Sequence, residues 1–290
     1  MSDNIRASLY MVLSMAGFAI NDALIKTLDG ALPTGQIMGI RGLFLSVLIL
    51  LLIWQRGLLP RISEALTAIV FLRASMELLA TLFFLSALMQ LPFANISAIL
   101  QSLPLAVTLG AALVFKEAVG WRRWLAIAVG FFGVLIIIRP GSTGFDPASI
   151  LVAISVLFAA ARDLSTRALP KALPSLLVTA ATAVLVSLFG FCLVLVQGSW
   201  VPPETEQMKT LGFASAFLFV GYQFIILAMR TGEVAYVVPY RYTSLLFSII
   251  LGYIFFAEMP DKYTILGSAI VISMGLFTLY RELIRAETRP

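Results

Sequence analysis

Long apolar stretches, each close to twenty residues, alternate with short polar breaks along the whole chain. A helix needs about 20 apolar residues to cross the hydrocarbon core of a bilayer. Ten stretches meet that length: 8–28, 35–55, 67–88, 93–115, 121–139, 147–168, 174–196, 210–230, 234–256 and 263–281. They are numbered spans 1–10 below. The breaks carry turn formers: Pro33 with Gly35, Gly57 to Pro60, Pro92, Gly120, Pro140 with Gly141, Pro170 with Pro174, and Pro202-Pro203. The pattern predicts an all-α integral membrane protein of ten transmembrane helices, without a loop long enough for a soluble domain. Span 1 exceeds the apolar run of a cleaved signal peptide, and Asn21-Asp22 interrupts it, so it is expected to persist as a helix.

Composition narrows the class. Of 290 residues, 60% are apolar and only 12% charged. That is about half the charge of an average soluble domain, too little polar surface to cover a soluble core. The chain has no His and a single Cys, Cys192. His-based triads and His metal sites are therefore excluded, as are an intramolecular disulfide and a thiolate cluster. No phosphate-cradling loop, metal-ligand cluster or nucleophile–base pair is visible, so no cofactor is expected. The net charge of +5 is assigned to loops at an anionic membrane face rather than to nucleic acid.

The basic residues divide unevenly. One side of the ten spans holds Arg6, Arg56, Arg61, Lys116, Arg122, Arg123, Arg167, Lys171, Arg230, Arg281, Arg285 and Arg289; the other holds Lys26, Arg139, Lys209 and Lys262. Cytoplasmic loops carry the excess of Lys and Arg, so both termini are expected in the cytoplasm. The opposite face is called the outer face below.

Rare residues recur at an offset of 141. Asp22 falls on Asp163, Lys26 on Arg167, Pro33 on Pro174, Gly57 on Gly198 and Glu117 on Glu258. The chain then divides into repeats 1–140 and 141–290 with five spans each. An odd number of spans turns the second repeat upside down relative to the first. Inverted repeats with a binding site near the midplane between them build many secondary transporters.

Charges inside spans are costly and mark pathways or partners. Glu77 lies halfway along span 3, one helical turn after Arg73. The pair reads either as a substrate or proton site or as an internal salt bridge. Asp22 with Lys26 in span 1, and Asp163 in span 6, read as gating acids or as helix-end anchors. Arg41 lies two turns into span 2. Arg241 lies within Pro239-Tyr240-Arg241-Tyr242-Thr243, where the proline frees backbone and the tyrosines offer hydroxyls and faces. Arg241 is a candidate carboxylate clamp, or a snorkelling residue of an aromatic belt. Gln101, beside Pro104, and Tyr236 join Glu77, Arg73, Tyr240, Arg241 and Tyr242 as candidate substrate contacts. Asp22, Arg41 and Asp163 are candidate gating or coupling groups. Asn21, Asn95, Tyr222 and Gln223 are further polar positions. Without His, any proton coupling has to use Glu77, Asp22 or Asp163. Gly130, Gly133 and Gly267 are assigned to close helix packing.

On these features the chain resembles the drug/metabolite transporter superfamily, in its ten-helix EamA branch, over its full length. The residues that carry the resemblance are Phe115-Lys-Glu117 leading to Gly130 and Gly133, Phe256-Ala-Glu258 leading to Gly267, and Arg41 and Arg73. The segments Asn21-Asp22, Ala153-Ile-Ser155 with Asp163, Pro239-Tyr-Arg-Tyr242 and Pro260-Asp-Lys262 are similar to those of bacterial S-adenosylmethionine uptake carriers. The resemblance implies gradient- or exchange-driven carriage of a small polar metabolite across a bacterial inner membrane, with a small molecule and the bilayer as partners. It implies no nucleic acid and no enzymatic reaction, and a monomer or a homodimer. Export of amino acids and carriage of a riboflavin-type vitamin stand as alternatives within the same fold.

Overall fold

The computed structural model describes residues 3–116, 120–170, 172–231 and 234–287. Glu117, Lys171 and Arg289 lie outside the described residues. Within them, ten helical spans are long and apolar enough to cross a membrane. Spans 1–3 are Asp3–Lys26, Thr34–Gln55 and Ala68–Leu88. Span 4 is two helices, Phe93–Leu100 and Leu103–Val114. Spans 5–8 are Trp121–Ile138, Ala148–Arg167, Ser175–Gln197 and Thr205–Thr231. Span 9 opens as a 3-10 turn, Val238–Tyr242, and continues as Thr243–Phe256; span 10 is Lys262–Glu287.

The departures from the sequence reading have local causes. Span 8 starts at Thr205 rather than 210 because a polar first turn is invisible to hydropathy. Its entry is capped by the Gln207 side chain, which accepts the Glu204 N–H at 3.0 Å. Span 4 breaks at Gln101-Ser102 because Pro104 has no N–H for the carbonyl one turn earlier. Pro239 sits within the 3-10 turn of span 9 for the same reason. The break between spans 2 and 3 contains a short 3-10 helix, Leu59–Ala65.

The two five-span halves are inverted relative to one another, and the pairing of spans follows that symmetry. Span 1 packs on span 8 and span 3 on span 6, two contacts that exchange under the repeat. Span 2 packs on span 7 and span 5 on span 10, each a contact between equivalents. Atomic details repeat at the same offset. Ser14 donates to the carbonyl of Gly221 at 2.8 Å, and Ser155 donates to the carbonyl of Ala80 at 2.8 Å. Pro33 and Pro174 precede spans 2 and 7 in extended conformation, and both spans are followed by a left-handed glycine, Gly57 (φ +66) and Gly198 (φ +58).

Two seams have backbones close enough to exclude side chains. A Cβ at Gly267 of span 10 would lie 2.6 Å from the carbonyl oxygen of Gly133 in span 5. Gly190 of span 7 faces Gly35 and Gly39 of span 2 just as tightly, a Cβ there lying 2.6 Å from the Gly35 carbonyl oxygen. Close packing of this kind drives helix association in lipid, where no hydrophobic effect separates helix from solvent. The perimeter is apolar, with Phe132, Leu188, Leu195, Val196 and Ile254 exposed, and Trp54, Trp121 and Trp200 stand exposed near span ends. That is the surface a bilayer solvates, with aromatic side chains at its interfaces.

Candidate functional site

Most of the charged side chains predicted within the spans converge between the two halves of the bundle. Arg73 and Glu77 are one turn apart on span 3, and their nearest nitrogen and oxygen are 3.8 Å apart. Glu77 is almost fully buried. Its carboxylate receives a closer bond from the other repeat: Arg162 of span 6 donates through Nη1 at 2.9 Å. Arg162 also donates through Nε to Asp163 at 2.9 Å. Arg73 turns toward hydroxyls, donating to Thr182 of span 7 and, at 3.4 Å, to Thr166. The Glu77–Arg162 bond therefore joins the two inverted halves directly.

Beside this pair lies a cavity of about 30 Å³, lined by Arg41, Arg73, Glu77, Thr81, Thr182 and Tyr222 among others. Arg41 is 7% exposed, within electrostatic reach of Asp22, Tyr222 and Glu77. Asp22 accepts a hydrogen bond from the Asn21 amide at 2.7 Å. The equivalent pair in the second repeat, Arg162 and Asp163, is bonded in the same way. Arg241 lies within electrostatic reach of Asp163, Arg162 and Tyr242. The outcome is a chain of alternating sign: Asp22, Arg41, Glu77, Arg162, Asp163, Arg241, with Arg73 attached to Glu77.

The other sequence candidates lie elsewhere. Gln101 donates to Ser244 at 2.9 Å and ties span 4 to span 9. Tyr236 and Tyr240 are 49% and 37% exposed, with ring centroids 6.5 Å apart. Tyr242 is buried; its hydroxyl has no partner among the described residues and rests where Gly275 leaves room for it. None of these four lines the arginine cavity. Arg162, Thr182 and Tyr222 emerge as central, although the sequence marked Arg162 only as an in-span charge beside Asp163, Tyr222 only as a further polar position, and Thr182 not at all. Their signal was tertiary, since helical spacing within one span cannot show which span it faces.

The outer end of the bundle is closed by a different set. Lys26, at the end of span 1, lies 3.5 Å from Glu258, donates to the carbonyls of Leu88 and Leu91, and sits 5.4 Å over the Phe256 ring. Glu258 also accepts the Phe93 N–H at 2.6 Å. Gln36 makes paired bonds to the backbone of Val201, at 2.6 and 3.0 Å. Arg139 bonds Asp261 and covers Tyr263 at 4.8 Å. Burial pushes the Asp261 carboxyl up, but the Thr264 N–H and the Arg139 guanidinium more than offset that, and it titrates below its ordinary value.

A ten-span inverted bundle with buried charges between its halves is the frame of a membrane transporter, and comparison with known families agrees. The EamA-like transporter family matches residues 5–139 and again 146–280. The chain belongs to that family; it is a multi-pass membrane protein and not an enzyme. It is 32% identical over 205 residues to a riboflavin transporter of Rhizobium johnstonii, covering 71% of this chain and 67% of that one. It is 24% identical over 279 residues to an S-adenosylmethionine uptake transporter of Rickettsia prowazekii, covering 94% and 92%. A pseudopaline exporter of Pseudomonas aeruginosa is 25% identical over 270 residues, covering 91% and 92%.

Proposed function

We propose that the protein is a secondary-active carrier that moves a small polar organic metabolite across the bacterial inner membrane by alternating access, with S-adenosylmethionine uptake as the leading reaction. The observation that carries the reading is the Glu77–Arg162 bond, a buried ion pair between the two inverted repeats. Such a pair holds the halves together only while its partners have nothing better to bind. A substrate offering its own charges competes for them, and rocking of repeats 1–140 and 141–290 then exchanges one exposed side for the other.

The chemistry of the substrate fits the residues. S-adenosylmethionine carries a sulfonium, an ammonium, a carboxylate and an adenine. Glu77 or Asp163 meets the cations, Arg241 or a second arginine of the cluster meets the carboxylate, and Tyr240 or Tyr242, outside the cavity while the halves are together, meets the ring once they part, with Tyr236 and Gln101 at the margin of the path. Asp22, Arg41 and Asp163 couple the binding step to the gates, of which Lys26–Glu258 is the outer one. Both termini face the cytoplasm, as the basic residues of the even-numbered breaks and termini favour. Ten spans suffice to enclose one path, so the monomer is the working unit, alone or in a homodimer.

Export is the second reading, favoured by the similarity over nine-tenths of the chain to a pseudopaline exporter; riboflavin carriage has the similarity to the Rhizobium protein behind it. Proteoliposomes loaded with unlabelled S-adenosylmethionine, its demethylated product, riboflavin or amino acids, then offered the labelled compound, separate the substrates, and right-side-out against inverted vesicles under an imposed proton gradient separate uptake from export. Uptake of labelled S-adenosylmethionine above protein-free vesicles supports the first reading. Uptake confined to riboflavin or to amino acids replaces it.

A further inference from the structure

The charged chain is unbalanced. Counted at formal charge, it holds four guanidinium groups (Arg41, Arg73, Arg162 and Arg241) against three carboxylates (Asp22, Glu77 and Asp163). One positive charge is left over in a region of low dielectric, where an uncompensated ion is expensive. Neither Arg41 nor Arg241 has a carboxylate within 4.0 Å among the described residues, and of the two only Arg41 lines the cavity, so the surplus that a ligand can reach is at Arg41. Arg162 is bonded to two carboxylates, and Arg73 to Glu77 and two hydroxyls. Arg41 is more than nine-tenths buried, yet no carboxylate among the described residues comes within 4.0 Å of it and none accepts a hydrogen bond from its guanidinium. It lines the cavity with the hydroxyl-bearing Thr81, Thr182 and Tyr222 around it. A guanidinium presents a planar fork of donors that matches an oxyanion in two-point contact.

We propose that Arg41 is the anion-binding arm of the site, so that the substrate carries an oxyanion, a carboxylate or phosphate, which completes the charge balance of the cluster. The cavity of about 30 Å³ admits only a small head group, far below the roughly 300–1,000 Å³ of a pocket that encloses a whole ligand. The oxyanion enters first and the remainder of the substrate requires the halves to part. This deepens the reading above in one respect, since it rests on the cavity being the transport path; it does not depend on which metabolite is carried. It also sorts the candidates. S-adenosylmethionine has the required carboxylate, whereas riboflavin has no oxyanion and its phosphate ester does.

The test uses the purified full-length protein in detergent and two matched pairs of probes: S-adenosylmethionine with its decarboxylated form, and riboflavin 5′-phosphate with riboflavin. Binding is read as ligand-induced thermal stabilisation. The expected result is that the oxyanion-bearing member of a pair binds about 10- to 100-fold more tightly, the scale of a charge-assisted hydrogen bond. Arg41→Gln abolishes that preference, and Arg41→Lys retains part of it. Equal binding of both members of a pair, or a preference that survives in Arg41→Gln, overturns the proposal. If neither pair binds, the metabolite assignment fails while the anion site is still decided by a ligand-free arm. At constant ionic strength, acetate or phosphate in place of chloride then raises the melting temperature of the wild type more than that of Arg41→Gln, whereas identical responses overturn the proposal. If Arg41→Gln does not fold, the same comparisons are made with Arg41→Lys, whose response must fall below that of the wild type.

Discussion

Replacing Glu77 by Gln keeps the shape of the side chain and removes the charge that two arginines share. The Arg162 contact at 2.9 Å and the Arg73 contact at 3.8 Å correspond to Coulomb attractions of roughly 6 and 4 kcal/mol at an effective dielectric of about 20. Most of that is offset by the desolvation of the three groups, which costs several kcal/mol per ion. Removing one partner forfeits the attraction and leaves the desolvation in place, so the net loss is expected at about 3–5 kcal/mol. The protein has four Trp, and intrinsic fluorescence during thermal or denaturant unfolding in a fixed detergent reads the change. The double variant Glu77→Gln, Arg162→Gln removes the stranded charge as well and is expected to recover part of the loss, a coupling of about 0.5–3 kcal/mol. A Glu77→Gln protein as stable as the wild type, or a double variant that simply adds two losses, would refute the reasoning that these charges hold the two repeats together.

Four further outcomes are expected. Glu258→Gln loosens the outer closure: a cysteine placed at Thr81 in a Cys192→Ser background reacts several-fold faster with a membrane-impermeant thiol reagent, and unchanged labelling would show that Lys26–Glu258 is not a gate. Gly190→Val drives a branched side chain into the backbone of span 2 and is expected to cost more than the 1–3 kcal/mol of ordinary overpacking, read as loss of monodisperse protein on size exclusion. Tyr242→Phe removes a buried hydroxyl without a partner and is expected to leave the melting temperature unchanged or raised, because an unsatisfied buried polar group costs roughly 1–3 kcal/mol; a marked fall would reveal a bond to that oxygen. Asp261 titrates below its ordinary value of 3.8 in the folded protein, so its ionised form contributes stability above that pH, and the contribution fades as pH falls through the depressed value. The stability difference between wild type and Asp261→Asn is therefore expected to hold from pH 7 to about 5 and to shrink below about 4; a difference that grows with acid would reverse the sign of the argument.

Much of this architecture was legible in the chain, because hydropathy reports length and the repeat reports symmetry. The offset of 141 that aligned Pro33 with Pro174 and Gly57 with Gly198 also relates the Ser14 and Ser155 hydrogen bonds. Gly133 and Gly267 could be singled out for packing, yet the tighter seam of Gly35 and Gly39 on Gly190 went unread. Glycines in an apolar run look alike until the facing helix is known. Charges fared the same way. Arg73 and Glu77 are paired by spacing alone, but the stronger Arg162 bond arrives from 85 residues away. Gln101 looked like a path residue beside a proline and is bonded to Ser244. Polarity within a span marks a side chain that needs a partner, and only tertiary structure says whether that partner is another helix or a passing solute.

The most direct test of the central claim is solute counterflow in proteoliposomes preloaded with unlabelled S-adenosylmethionine. Labelled S-adenosylmethionine outside is predicted to accumulate transiently above its equilibrium level with the wild type and to lose that overshoot with Arg41→Gln. Filling of the wild-type vesicles no faster than protein-free ones, while riboflavin or an amino acid does show the overshoot, would contradict the account.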